Sequence, residues 1–145
     1  MEEIKIIKDK SELEGTCYIE LSLGKYQGKH WEETSLFFEE EVFGLIEPIF
    51  EKLAPNYDHY NMNDIDSHSW ENILSELKTL NALLESTNEF EDILGKVGFI
   101  FAGSRDYFQN HLFSCKDQLI KLISELVEWV EINIKEHGYI AVLGI

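Results

Sequence analysis

The sequence predicts an α+β domain, in which a small sheet of amino-terminal strands plus a carboxy-terminal strand packs against about four helices. Three observations indicate this class. Apolar and polar residues alternate in the segment TCYIELSL, helical apolar spacing recurs through the middle of the chain, and the apolar run YIAVL follows the last helix. A chain of 145 residues is expected to form one domain, covering residues 1–145.

Three strands are predicted from short apolar patterns. Residues 4–8 (IKIIK) indicate a first strand, and residues 16–23 alternate as a half-buried second strand does. Residues 139–143 are apolar almost throughout, which is typical of a strand covered on both faces. We expect this last strand to pair with the amino-terminal strands, because the sequence offers no other clear partner.

The first two helices are predicted from apolar spacing. Residues 35–53 place apolar side chains on a wide helical stripe and glutamates on the remaining face. Pro48 lies inside this segment, so the helix is expected to kink or restart there. Ser67 is a predicted N-cap for a second helix that runs to about Glu85, and residues 56–66 are predicted to be a polar, aromatic loop between the two.

Two predicted capping boxes begin the remaining helices. Asn88 with Glu91 fits the first, which would start a helix reaching Val97. Ser114 with Asp117 fits the second and predicts a long central helix from there to about residue 136. This helix is followed by a glycine, the residue that most often terminates helices. Residues 97–101 fit either a continuation of the third helix or a buried strand.

The negative charge is concentrated in the middle of the chain. The whole chain carries −16, and residues 30–95 hold sixteen acidic side chains against two lysines, a net charge of −14. This balance argues against nucleic-acid binding, which needs a Lys/Arg surface, and against binding to anionic membranes. No apolar run approaches the ~18 residues of a membrane span. The charge serves either solubility or a surface for a basic partner.

The amino-terminal sequence and the cysteines favour a cytoplasmic protein. MEEIK lacks the basic and apolar regions of a signal peptide. Cys17 and Cys115 lie far apart in apolar-rich segments, and no ligand-spaced partners accompany them. Both are therefore predicted to be reduced core residues.

Metal binding is a weak hypothesis here. Asp58, His59, Asp64, Asp66 and His68 form the densest group of potential ligands. The stretch superficially suggests a calcium loop, but it lacks the glycine at the sixth position and the glutamate at the twelfth. A solvated loop is the preferred interpretation, and no cofactor or metal is predicted.

The sequence also lacks a catalytic motif. The nearest approach to a nucleophile motif is Gly103-Ser104-Arg105, which lacks the second glycine of G-x-S-x-G. Glycines at 95, 98 and 103 do not form a phosphate loop. With 28 acids in the chain, paired carboxylates are expected by chance and do not indicate glycosidase chemistry. A non-enzymatic protein is therefore expected.

A protein-binding surface fits the pattern better. Aromatic residues interleave with aspartates in residues 56–66, and glutamates cover the outer face of the preceding predicted helix. Aromatic anchors supply buried area and acidic groups steer a basic partner. The alternative is a solvated acidic face with tyrosines packed at the core edge. The predicted partner-binding residues are Glu39, Glu40, Glu47, Glu51, Tyr57, Asp58, Tyr60, Asp64 and Asp66.

Several segments together resemble small acidic immunity proteins of bacterial contact-dependent inhibition and polymorphic toxin systems. These segments are LFFEEEVF, the triplet DHY, the helix opening SWE and the closing YIAVLGI. The resemblance covers most of the chain in layout, without a diagnostic motif. It implies a cytosolic, non-enzymatic protein that binds and neutralises a cationic toxin domain, often a nuclease, and it assigns no individual site residue.

The leading expectation is therefore an immunity or inhibitor protein. Two other classes remain open. The chain could be a structural or adaptor module whose acidity serves only solubility, or a small hydrolase with an unrecognised site in residues 56–66.

Overall fold

The structure, a computed structural model, describes residues 1 and 3–145. Its centre is a four-stranded antiparallel sheet with the strand order β2-β1-β4-β3. The predicted α+β class is confirmed. The strands are β1 (Tyr18–Leu23), β2 (Leu36–Glu39), β3 (Met62–Asp66) and β4 (Tyr139–Leu143).

The helices account for most of the remaining chain. The two longest, α3 and α5, contact each other and pack on one face of the sheet. Within the described residues, no helix combines the length and the apolarity that crossing a bilayer requires. The helices are α1 (Glu40–Gly44), α2 (Glu47–Leu53), α3 (Ser67–Ser86), α4 (Ala102–Asn110) and α5 (Leu112–His137), with short 3-10 turns at Lys10–Glu12 and Phe90–Ile93.

Strand β4 lies at the centre of the sheet, as its apolar sequence predicts. It pairs antiparallel with β1 on one side and with β3 on the other. Helix α5 ends at Gly138, whose φ of 72° is a left-handed conformation that glycine adopts without strain. The predicted pairing of the last strand with an amino-terminal strand is confirmed.

The predicted helix over residues 35–53 is wrong in its first part. Leu36, Phe37 and Phe38 form strand β2, and all three side chains are buried. An apolar run of this length fits a strand covered on both faces as well as it fits a helix, so its periodicity does not decide. The restart predicted near Pro48 is confirmed, because this proline lies in the first turn of α2, where its missing N–H costs nothing.

Two other predicted elements differ at the edges of the sheet. Residues 4–8 form a single bridge between Ile7 and Phe37 instead of a strand. The predicted loop 56–66 ends early, because Met62–Asp66 is edge strand β3. The alternation of buried Asn63 and Ile65 with exposed aspartates is the period-2 signal of a strand, which the polar composition obscured.

The predicted capping signals were only partly correct. Asp66, and not Ser67, caps α3. The predicted box of Asn88 with Glu91 starts no helix; only a 3-10 turn follows, and its N-cap is Glu89 without a side-chain capping bond. Residues 97–101 form neither a helix nor a strand and are irregular, apart from a bridge between Leu94 and Val97. Helix α4 was not predicted.

The long fifth helix was predicted well except at its start. It begins before Ser114, so the predicted second capping box lies inside the helix. Of the two cysteines predicted in the core, Cys115 is buried, but Cys17 is exposed just before β1. The alternating pattern of residues 16–23 includes Cys17, whereas the regular strand starts one residue later.

Candidate functional site

The segment between α2 and β3, residues 54–61, lies at the end of the sheet where β2 finishes and β3 begins. Asn56 makes its turn with a φ of 57°. The far end of the segment is fastened to the residues after β4. Gly144 donates its N–H to the Asn61 carbonyl at 2.8 Å, and Ile145 donates to the His59 carbonyl at 3.3 Å.

His59 is held between two glutamates from different helices. Its Nδ1 lies 2.6 Å from Oε2 of Glu47 on α2, and its Nε2 lies 2.6 Å from Oε2 of Glu40 on α1. The hydroxyl of Tyr57 also donates to Oε2 of Glu47, at 2.7 Å. We refer to these four residues, Glu40, Glu47, Tyr57 and His59, as the His59 clamp.

The contacts in the His59 clamp shift the pKa values of His59 and Tyr57. Partial burial of the imidazole lowers the pKa of His59, but the hydrogen bonds and charges of Glu40 and Glu47 outweigh this and raise it above 6.5. Burial, followed by the hydrogen bond to Glu47, raises the pKa of Tyr57 far above its usual range. Tyr57 is therefore a neutral hydrogen-bond donor at physiological pH.

An acidic groove of about 470 Å³ opens beside the clamp. Within it, Glu51 and Asp58 are exposed to solvent. Tyr60 is 72% exposed, and its ring packs edge-to-face with that of His59, with ring centroids 4.8 Å apart. The lining residues are Glu47, Glu51, Asn56, Tyr57, Asp58, His59 and Tyr60, so the described lining contains no lysine or arginine.

The groove collects five of the nine predicted partner-binding residues. These are Glu47, Glu51, Tyr57, Asp58 and Tyr60. Glu40 adjoins them through His59, whereas Glu39 is exposed at the end of β2 and does not line the groove.

The two predicted aspartates of β3 have partners inside the protein. Asp64 accepts a hydrogen bond from the backbone N–H of Tyr26 at 2.8 Å. Asp66 accepts from the Ser69 N–H at 2.8 Å and caps α3, and this bond lowers the pKa of its carboxyl. Both side chains remain exposed, so they contribute charge near the groove as well as local structure.

The acidic middle of the chain is largely uncompensated. Within residues 1 and 3–145, only Glu33, Glu41 and Glu76 of its acids pair with a lysine or the terminal amine. Glu40 and Glu47 share His59. The other eleven acids of residues 30–95 form no ion pair in the described part of the chain.

Two further polar clusters stabilise the fold. Glu20 is 1% exposed on the sheet face opposite α5, where it accepts from the Trp31 and Glu32 N–H groups and the Ser35 hydroxyl. Ser104, the nearest approach to a nucleophile in the sequence, is buried and donates to Glu41. Because both groups are buried and satisfied, neither is placed to meet a substrate.

The sequence indicated the acidic and aromatic composition of this site but not the role of His59. His59 was considered among possible metal ligands, yet within the described residues no group of His, Cys, Asp and Glu side chains is arranged to hold a metal ion. Glu40 and Glu47 are seven residues apart, a spacing that puts two side chains on one face of a continuous helix but about two turns apart. In the structure they lie in the first turns of two separate helices. The sequence spacing does not show that both carboxylates reach the ring of His59.

The chain matches no known family model, and no curated protein or solved structure is significantly similar to it. The geometry of the groove and the chemistry of its residues must therefore support any functional proposal.

Gly144 provides a test of how tightly residues 54–61 are held. A β-carbon at this position would lie 2.7 Å from the Asn61 carbonyl oxygen and closer still to that of His59. We expect Gly144→Ala to destabilise the protein by about 1–3 kcal/mol, measured by chemical denaturation, because the backbones must separate.

Gly103→Ala is the matched control for this substitution. Position 103 has open space around it and lies in α4, so alanine should leave the stability unchanged or slightly higher. Equal stability of the two variants would show that residues 54–61 are not fixed by the end of β4.

Proposed function

We propose that this chain is a binding protein that neutralises a cationic partner, as an immunity or inhibitor protein does for a toxin domain. The observation that carries the proposal is the Tyr60 ring at the rim of the acidic groove. This side chain is 72% exposed, yet it is held against His59 at its base. A large aromatic side chain in this setting is a typical anchor of an interface.

Charge in the groove favours a basic partner over a neutral or acidic one. Glu51 and Asp58 are exposed, and no lysine or arginine stands among the described lining residues. Such a surface attracts a cationic protein over a distance of about 8 Å at physiological ionic strength. It also disfavours nucleic acid, whose phosphates would be repelled.

The groove is also largely pre-formed. Residues 54–61 are fixed by α2 at one end, by β3 at the other and by the His59 clamp between them. Little conformational entropy is then lost when a partner binds, which favours affinity. Both ring nitrogens of His59 contact carboxylates, which leaves neither nitrogen free to act as a base on a substrate, and this supports a binding role over catalysis.

The proposal is tested by expressing the polypeptide encoded immediately upstream of this gene, with and without the chain. We expect that polypeptide to arrest growth when produced alone and the chain to relieve the arrest by forming a complex. Absence of arrest, or arrest that the chain does not relieve, would reject the immunity function and leave the adaptor and hydrolase alternatives.

Tyr60→Ala should weaken binding of this polypeptide by about 2 kcal/mol or more, since it removes the proposed aromatic anchor. Glu39→Gln is the matched control. Glu39 is exposed outside the groove, so its loss should cost well under ~1 kcal/mol. Isothermal titration calorimetry measures both, after each variant is shown to melt like the wild type. Similar losses for the two would place the interface elsewhere.

The double variant Glu51→Gln, Asp58→Asn tests the charge contribution. The asparagine side chain keeps the oxygen that accepts from the Tyr60 N–H, so the turn is preserved. In the wild type, association should slow severalfold between low and physiological salt. We expect a smaller salt effect in the double variant, measured by stopped-flow fluorescence. An identical salt dependence would mean that other acids steer the partner, or that the acidity serves solubility alone.

A further inference from the structure

The two contacts of His59 require two N–H donors. Each ring nitrogen lies 2.6 Å from a carboxylate oxygen, Nδ1 from Glu47 and Nε2 from Glu40. A neutral imidazole carries one N–H and one lone pair. With both carboxylates ionised, its second nitrogen would direct a lone pair at an oxygen that has no proton. Both hydrogen bonds therefore form together only when the ring is an imidazolium.

The clamp joins three separate parts of the chain. Glu40 belongs to α1, Glu47 to α2, and His59 to the connecting segment 54–61. Glu47 is 6% exposed, and its Oε2 accepts hydrogen bonds from both the imidazolium and the Tyr57 hydroxyl. If His59 loses its proton, one of the two carboxylates loses its imidazole donor. At Glu40 this breaks the hydrogen bond between residues 54–61 and α1, whereas at Glu47 the Tyr57 hydroxyl alone still donates.

Among the described residues, the ionisable side chains that contact His59 or line the groove beside it are acids or tyrosines. Helix α1 contributes Glu40, and α2 contributes Glu47 with Glu51 farther out. Beyond β4, the backbone of Ile145 donates to the His59 carbonyl. No described lysine or arginine forms an ion pair with Glu40 or Glu47. Residues 54–61 themselves contribute the side chains of Tyr57, Asp58 and Tyr60.

We propose that the proton on His59 controls the order of residues 54–61 and so regulates the acidic groove, an inference that rests on the proposed function of that groove. With His59 protonated, the clamp is closed and Tyr60 is held at the rim. With His59 neutral, the clamp opens on one side, and the partner dissociates faster from a less ordered surface.

The direction of the pH effect follows from linkage. Because the pKa of His59 is raised in the folded state, the contribution of the clamp to stability is complete below 6.5, the ordinary value. It is lost as pH rises through the higher, folded-state pKa. Loosening is therefore expected on the alkaline side of neutrality, and acidification closes the clamp.

The switch is tested first on the free protein. Ring ¹⁵N chemical shifts of His59 should show an imidazolium at pH 6 and a midpoint above 6.5. Over the same range, amide protection factors of residues 57–61 should fall by about tenfold, which corresponds to the loss of roughly one hydrogen-bonded contact. Protection in the centre of α5 should not change.

Glu40→Gln is the decisive variant. A glutamine amide can donate to the bare Nε2 of a neutral ring while Nδ1–H still donates to Glu47, so the clamp needs no extra proton. Protection of residues 57–61 should then be independent of pH. His68→Gln, which alters an exposed histidine outside the clamp, should retain the wild-type response.

The proposed regulation is overturned if His59 is neutral at pH 6, or if residues 57–61 have the same amide protection at pH 6 and pH 8.5. It is also overturned if Glu40→Gln shows the same pH dependence of amide protection as the wild type. Binding of the upstream polypeptide separates the two proposals. A pH-dependent loop with no binding rejects the proposed function only. If the polypeptide binds, but its dissociation from the wild type rises with pH no more than its dissociation from Glu40→Gln, only the proposed regulation is rejected.

Discussion

Deletion of residues 139–145 is expected to unfold the protein. These residues include β4, the strand that pairs with both β1 and β3. Ile140, Val142 and Leu143 are each at most 1% exposed, and burying side chains of this size contributes about 1.5–3 kcal/mol apiece. Their combined loss is comparable to the whole stability of an ordinary domain, about 5–15 kcal/mol.

Circular dichroism and a thermal melt measure this outcome. The truncated chain should lack a cooperative transition, because β3 loses its only strand partner within the described residues. Removal of Ile145 alone is the control, since this side chain is 38% exposed and leaves the ladder of β4 intact. A cooperative melt in the seven-residue deletion at the wild-type temperature would contradict the central position of β4.

Trp70→Ala should produce the largest loss of stability among single substitutions at core positions. Trp70 is fully buried on α3, packs edge-on against Phe50 at 5.4 Å, and donates its Nε1–H to the Ile140 carbonyl at 3.0 Å. The substitution removes a large apolar surface and the link from helix to sheet. Truncation of a buried tryptophan costs about 3–5 kcal/mol.

Trp70→Phe separates the two contributions. Phenylalanine keeps most of the packing on Phe50 but cannot donate to Ile140, so a smaller loss of about 1–2 kcal/mol is expected. Urea denaturation of the wild type and both variants gives the three free energies. If Trp70→Ala costs less than about 1 kcal/mol, the ring is not part of the core that joins α3 to the sheet.

These two predictions concern elements that local sequence patterns already indicated. The run YIAVL is apolar without alternation, and such a run is stable only where both faces are covered. The apolar spacing that begins at Trp70 predicts the buried face of α3 because a helix of 20 residues repeats its contacts over several turns. Long elements are predictable because many residues report the same periodicity.

Short elements at the end of the sheet gave no such repeated signal. The stretch from Leu36 to Leu53 contains a four-residue strand and two short helices, and its apolar positions fit a single helix equally well. The difference arises from pairing with β1 and from Gly44, next to which the Ile100 side chain leaves no space for a β-carbon. Both causes lie far away in sequence.

The composition of the candidate site was likewise predictable, but its arrangement was not. An excess of acids with interleaved tyrosines is a property of the sequence, and five of the nine predicted residues do line one groove. The sequence did not indicate that His59 would lie between Glu40 and Glu47, nor that Asp64 and Asp66 would have partners in the protein.

By itself, then, the sequence determined the fold class, the long helices, the central last strand and the acidic character of residues 30–95. Tertiary structure decided where the short elements begin and which charged groups meet. The physical reason is the sequence separation over which each kind of interaction acts. Periodicity and capping act over a few neighbouring residues, whereas the His59 clamp joins residues 12 and 19 positions apart, which only the packed sheet and its connecting helices bring together.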